Sequence, residues 1–237
     1  MNSYRSTVVP VAELPDLTRQ QMATLYLRYY DGSDEQQFQH DIDSKTEAIL
    51  LHTDRRLVGF TMLHQYEQSV SNKRARIVYS GDTVVDRAHW GQQVLAFSCV
   101  ERMGYYSHAS DIPVYWFLVV KGHRTYRYLS VYCRSFYPHW SIDRSDLKPL
   151  VDELAETRFG SAYNRETGVV EFNPSQGHLN PVMACPNANH LEKPEVRFFL
   201  ERNPGYVAGH ELVCLSELHP QNLKPLARRV FSRGQSA

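Results

Sequence analysis

Residues 86–93, Asp-Arg-Ala-His-Trp-Gly-Gln-Gln, join a stretch rich in Val, Ile, Tyr and Thr (77–85) to one in which Ala96, Cys99, Val100 and Met103 share a helical face. A strand that feeds a helix through a glycine-containing turn leaves the first helical amides unpaired and pointing outward. The helix dipole adds to their attraction for an anion. An ordinary strand-to-helix connection has the same pattern, since one glycine is weak evidence. The second stretch with chemistry in it is Lys121-Gly122-His123-Arg124, with Arg127, where the apolar run 113–120 meets a helix. Ligands of open α/β sheets bind outside the carboxyl ends of strands, and basic groups there suit a phosphate or a carboxylate. The plain alternative is a solvated helix start, although positive charge is unfavourable at that end of the dipole.

Composition narrows the function classes. The chain has 237 residues, with 42% hydrophobic and 22% charged, as expected of one soluble globular domain spanning 1–237. Its 26 basic and 26 acidic residues cancel, so no global field draws it to nucleic acid or an anionic membrane. Cys99, Cys133, Cys185 and Cys214 are far apart and form no CxxC pair, which reads as reduced thiols in a cytoplasmic protein. The first residues lack the apolar core of a signal peptide, and no window approaches 18 apolar residues. No GxSxG elbow is present. His178, Cys185, His190 and His210 match no compact ligand spacing, so no metal is expected.

The elements that must position these residues follow from periodicity and punctuation. Thr18 and Gln21 have capping-box spacing before a helical face of Met22, Leu25, Tyr26 and Tyr29. A second short helix follows Ser33 or Asp34, reaching about residue 41. Residues 47–52 and 57–66 read as an antiparallel hairpin around the turn 53–56, and 67–73 as a polar loop. The central strand then has Ser80-Gly81 as its bulge. The helix over 92–103 is predicted to stop at Gly104. A buried strand over 113–120 leads to a helix over 124–136, halted by Pro138. Further on come a helix over 147–159, a loop over 163–181 around one short strand (169–172), and a helix opened by Pro194. A strand over 211–218 and a helix holding Leu223, Leu226, Ala227 and Val230 close the chain.

This order resembles that of the GCN5-related N-acetyltransferase (GNAT) superfamily. In that superfamily the central strand is followed by a pyrophosphate turn, [Q/R]-x-x-G-x-[G/A]. Gly91 matches its glycine, whereas Ala88 stands where Gln or Arg would be, with Arg87 one position off, and Gln93 stands where a small residue would be. Downstream, Tyr132-Cys133-Arg134-Ser135-Phe136-Tyr137 is similar to the Y-x-x-x-G-F pattern of the helix after the next strand. The resemblance covers roughly residues 17–218. It implies an α/β fold with a mixed, mostly antiparallel sheet flanked by helices, and makes 141–195 an insertion before the last hairpin.

It also implies acyl transfer from a thioester to an amine of a small molecule or amino acid, or a non-catalytic binding module that keeps the fold. Such chemistry needs a neutral amine, a polarised carbonyl and a proton for the thiolate. The resemblance puts the donor, an acyl-CoA or the acyl-phosphopantetheine of a carrier protein, against Val84, Val85, Arg87, Trp90, Gly91, Gln92 and Gln93. Amides at Gly81 and Val84 would hold the carbonyl oxygen, and Tyr132 would protonate the thiolate, although beside Leu129 and Phe136 it is equally a core residue. Asp82 and His89 are the two candidates for the base, the latter for its pKa near neutrality. Lys121, Arg124 and Tyr79 are assigned to the acceptor. With Gln93 in the turn, a carrier protein, which presents one phosphate, needs a less demanding cradle than coenzyme A. Nucleic acid enters only as an aminoacyl-tRNA donor.

Overall fold

In the computed structural model, which describes residues 3–54, 56–70 and 73–236, the chain opens with β1 (Tyr4–Pro10), α1 (Asp16–Leu27), β2 (Tyr30–Asp31) and α2 (Glu35–Asp43). Next come β3 (Glu47–Thr53), β4 (Arg56–Val70), β5 (Lys73–Val85), α3 (Val94–His108), β6 (Val114–Val120) and α4 (His123–Tyr132). The remainder holds α5 (Lys148–Phe159), β7 (Tyr163–Asn164), β8 (Val169–Val170), β9 (His178–Leu179), α6 (Pro181–Ala184), α7 (Ala188–Leu191), α8 (Pro194–Arg202), β10 (Glu211–Glu217) and α9 (Pro225–Phe231). Eight strands form one sheet in the order β1-β3-β4-β5-β6-β10-β8-β7, and β2 with β9 makes a separate ribbon. All neighbours in the large sheet are antiparallel except β5 and β6. The mixed, mostly antiparallel sheet expected from the sequence is therefore present.

Alternation along the strands sends residues to two faces. Ile49 and Leu51 of β3, Trp116 and Leu118 of β6, and Leu212 and Cys214 of β10 pack with α3, α4, α8 and α9. The opposite face carries two separate covers. Ala48, Leu50, Phe60 and Met62 meet α1 and α2, whereas Ile77, Tyr79, Phe117, Val213 and Leu215 meet α5. The space between those two covers is where the charged residues described below collect.

Several elements differ from their sequence reading. β1 carries almost no pattern because it is an edge strand with few buried side chains. α1 starts at Asp16 with Pro15 as its cap, so Thr18 caps nothing. The supposed loop at 67–73 is instead the paired arm of β4 and β5, matched up to Val70↔Lys73; residues 71 and 72 lie outside the described set, as does Arg55 of the turn before β4. α3 runs through Gly104 to His108. α4 ends at Tyr132, because Cys133 and Tyr137 bridge to Leu223 and Leu215 instead of continuing the helix. Pro225 begins α9, where its missing N–H costs nothing. β8, the hairpin partner of β10, falls inside 141–195, so the added residues lie on both sides of it.

Candidate active site

The site begins where β5 and β6 part. Their parallel ladder runs from Arg76↔Val114 to Ser80↔Leu118, yet β5 continues to Val85 and β6 to Val120. The cause is a bulge on the other side of β5. Met62 pairs Gly81 and Phe60 pairs Val84, so Asp82 and Thr83 together oppose Thr61. Asp82 takes a left-handed φ of 50° there, one residue beyond the expected Ser80-Gly81 position. A bulge bends and twists its strand, which turns the end of β5 away from β6. At the crotch the Trp116 indole N–H donates to the Ser80 hydroxyl at 2.7 Å, and the Thr61 and Thr83 hydroxyls are 2.7 Å apart.

On the face between the α1/α2 and α5 covers lies a charged cavity. Asp82 of the bulge pairs with Lys45 at 3.2 Å, and Lys121, just past β6, pairs with Glu211 of β10 at 3.4 Å. Asp41 of α2 and Arg158 of α5 also line it, with Tyr30 and Tyr79 as aromatic walls. Burial holds the Glu211 carboxyl above the usual range; Lys121 partly offsets this, and the nearby Asp82 charge adds to it. Asp41 is raised in the same sense, by burial first and Asp82 second. Burial thus favours the protonated form of two carboxyls that stand beside two ammonium groups.

The other face holds an apolar cavity between α3 and α4, lined by Leu95, Cys99, Met103, Trp116, Tyr128 and Tyr132. Burial pushes the Cys99 thiol up to about 12, so it is an apolar wall. An open groove continues from this cavity past Trp90, Gly91, Gln92 and Gln93, with Arg124, Arg127 and His190 opposite. Thr83 and Thr125 border all three spaces.

Of the residues expected from sequence, Asp82, Tyr79 and Lys121 are brought together in the charged cavity. Val85, Trp90, Gly91, Gln92, Gln93 and Arg124 line the groove, and Tyr132 the apolar cavity between. The Lys121–Arg127 cluster is thus divided between two faces of the sheet. Arg124 leans over the Trp90 ring at 4.9 Å and donates to the Met183 carbonyl. Val84 is fully buried against α1 and α2. Arg87 lines none of these spaces; its N–H donates to the Tyr29 hydroxyl. His89 is not brought to Asp82 or Tyr132 either: its Nδ1 is hydrogen-bonded with the Tyr4 hydroxyl at 3.0 Å on the rim. The α3 amides, the anticipated phosphate cradle, already have a partner. The Gln92 Oε1 accepts from Val94 N at 2.8 Å and Leu95 N at 3.3 Å.

Sequence reasoning missed Glu211, Asp41, Lys45 and Arg158. It also missed the wall made by the segment between α5 and α8, where Phe172, Gln176 and Leu179 close the charged cavity and Met183, Asn187 and His190 the groove. His123, fully buried, bonds through Nε2 to the His190 Nδ1 at 3.0 Å and fastens α7 to α4. Burial, then Arg124 and His190, lowers its pKa to about 3. A histidine depressed in the folded state contributes stability that is present above about pH 6.5 and is lost as pH falls toward 3. We expect His123→Gln to flatten the fall of the melting temperature between pH 7 and pH 4.5; parallel profiles for the two proteins would contradict this. Among the described residues no group of three or more His, Cys, Asp or Glu could hold a metal ion, and no helix is long and apolar enough to cross a membrane.

The mixed, mostly antiparallel sheet with a bulge on its central strand is what the sequence resemblance implies; the parallel pairing of β5 with β6 and their parting beyond the bulge are added by the structure. No protein-family model matches the sequence, and no curated protein does. Among solved structures the chain is similar to a conserved protein of unknown function from Enterococcus faecalis V583, named a probable N-acyltransferase, at 11% identity and TM-score 0.42 over 56% of this chain and 33% of that one. It is similar to the Escherichia coli GNAT family N-acetyltransferase YhbS in complex with CoA, at 14% identity and TM-score 0.37 over 52% of this chain and 66% of that one. The E. coli protein ElaA is 19% identical with TM-score 0.39, over 57% of this chain and 88% of that one. The chain thus spans about a third and just under two thirds of the length of the first two.

Proposed function

We propose that this GNAT-like protein is an N-acyltransferase that moves an acyl group from a thioester donor to an amine. One observation carries the reading: β5 and β6 part at Ser80↔Leu118, where a charged cavity on one face and an apolar cavity and groove on the other share Thr83 and Thr125 as walls. An apolar passage lined by Leu95, Ala96, Thr125 and Tyr128 suits a pantetheine arm, and Trp90, Gln93, Arg124 and Arg127 at its mouth suit a phosphate. The donor, when bound, supplies an activated carbonyl. Glu211 accepts the proton of the acceptor ammonium, with Asp82 beside it and Lys121 compensating the charge. Burial raises the Tyr132 phenol, which keeps it in the protonated form required to give a proton to the leaving thiolate. Because Gln92 occupies the Val94 and Leu95 amides, a donor with a single phosphate, such as an acyl-phosphopantetheine, fits the groove more readily than a pyrophosphate.

The test is a thermal-shift titration with acetyl-CoA, a long-chain acyl-CoA and pantetheine, followed by thiol release with added amines. A ligand at a hundred times its dissociation constant adds about 2.7 kcal/mol, or roughly 5–10 °C for a chain of this size. Gln93→Glu is expected to abolish the shift by the CoA esters. An acidic residue at a helix start is favourable to the fold, so the variant stays folded while it repels phosphate. A shift by pantetheine alone would assign the donor to a carrier protein. No shift by any of them would defeat the donor reading.

A further inference from the structure

The charges of the cavity between α2 and α5 do not all pair within the protein. Three acids, Asp41, Asp82 and Glu211, and three cations, Lys45, Lys121 and Arg158, line it. Two ion pairs, Lys45–Asp82 and Lys121–Glu211, absorb four of the six. The Lys45 ammonium is further held by the Asp41 backbone carbonyl at 3.0 Å and the Ser44 hydroxyl at 3.1 Å, so it is fully engaged. One acid and one cation remain. Among the described residues the Asp41 carboxylate accepts only the Gln37 side-chain amide, at 3.0 Å. Arg158 lies over the Tyr79 ring, 3.8 Å from its centroid, with one hydrogen bond to the Tyr79 side chain, and no carboxylate of the described residues pairs with it. A guanidinium stacked on an aromatic face keeps its in-plane N–H donors directed outward, where they match a planar or tetrahedral anion.

We infer that the acceptor is a primary amine that itself carries an anionic group: Arg158 receives the anion, and Asp41, with the Glu211 end of the cavity, receives the ammonium. The inference rests on the acyltransferase reading only for the word acceptor; the binding site stands on the cavity alone. Arg158, Phe159, Phe172 and Gln176 come from the segment between α4 and β10, so the inserted residues are what would make the cavity selective for such a zwitterion. A plain amine would leave Arg158 without a partner, and a plain carboxylate would meet three acids.

The measurement is a thermal-shift and calorimetric titration of the full chain with L-phenylalanine, L-tryptophan, L-histidine and L-lysine. Phenethylamine, tryptamine, histamine and cadaverine are the matched amines without the carboxylate, and O-phosphoethanolamine is the phosphate-bearing arm. At least one anion-bearing amine is expected to bind ten times or more tighter than its uncharged-end counterpart. Arg158→Gln should remove that preference, and Asp41→Asn, at the other pole, should weaken the same ligand at least fivefold. Each variant's unliganded melting temperature shows that it is folded. Equal binding of amines and amino acids, no binding by any of them, or an unchanged preference in both variants would overturn the inference. Because coenzyme A esters are titrated separately, a donor shift without zwitterion binding would sink only this inference. Zwitterion binding without any donor shift would sink only the acyltransferase reading.

Discussion

Glu211→Gln is expected to lower kcat for amine acylation by about 10²–10⁴-fold, the usual contribution of one positioned proton acceptor, while leaving the donor-dependent thermal shift in place. Glu211 lies at the start of β10, 8% exposed, with its carboxylate 3.4 Å from the Lys121 ammonium. Burial favours its protonated form, and so does the Asp82 charge. A carboxyl raised above its ordinary range is a stronger base once ionised, which is what an ammonium donor requires. The sign for pH dependence follows: kcat/KM should be lost as pH falls through the raised Glu211 value, so the acid limb lies above that of an ordinary glutamate. Gln keeps the shape and the hydrogen-bonding oxygen but cannot take the proton. Asp82→Asn is the comparator, since Asp82 was the carboxylate expected from the sequence and faces the same cavity. If Asp82→Asn abolished turnover and Glu211→Gln left it within threefold of the wild type, the assignment of the base would move to the bulge. Steady-state rates from pH 5 to pH 9 on both variants decide between them.

The two carboxylates differ in how far their place in the fold can be read from the sequence. Asp82 is legible because it sits in a local pattern, a β-rich run followed at once by a turn and a helical period, and the parting of β5 from β6 is built from that same run. Trp90, Gly91, Gln92 and Gln93 are legible for the same reason. Glu211 is separated from Asp82 by 129 positions, and only the pairing of β10 with β6 places it beside Lys121. Asp41, Lys45 and Arg158 likewise stand at or near the ends of helices, where polar residues are ordinary, and nothing in their spacing marks them. His89 misleads in the opposite way. Its residue type suits a base, but its turn faces the rim and its ring meets Tyr4. Gln92 shows a third limit, since only coordinates reveal that its side chain fills the amide cradle its position suggests.

Gly104 presents the sharpest conflict between local and tertiary reasoning. A glycine after a helical run reads as a stop signal, and within a helix its replacement by Ala should add about 1 kcal/mol through propensity alone. In the structure α3 continues through it, and the backbone of α9 with the short helical turn Ser232–Ser236 crosses directly over it. A Cβ at Gly104 would sit 2.0 Å from the Phe231 carbonyl oxygen and 2.8 Å from its carbon. Gly234 makes the reciprocal approach, its Cβ position lying 2.4 Å from the Glu101 carbonyl oxygen and 2.4 Å from the Tyr105 nitrogen. Both obstacles are backbone, so no rotamer change relieves them, and the C-terminal segment must lift from α3. Phe231, fully buried in the core beside α3, would lift with it. Overpacking of this kind costs about 1–3 kcal/mol and occasionally more, which exceeds the propensity gain. With both obstacles in the backbone the cost falls at the upper end of that range, so a net loss of about 2 kcal/mol remains after the propensity gain and Gly104→Ala is expected to lower the melting temperature by roughly 4–8 °C. The groove at the start of α3 lies about 15 Å away along the helix, so the donor-dependent shift should persist in the variant. A melting temperature equal to or above the wild type would show that propensity wins and that the glycine-to-glycine crossing does not hold α9 in place.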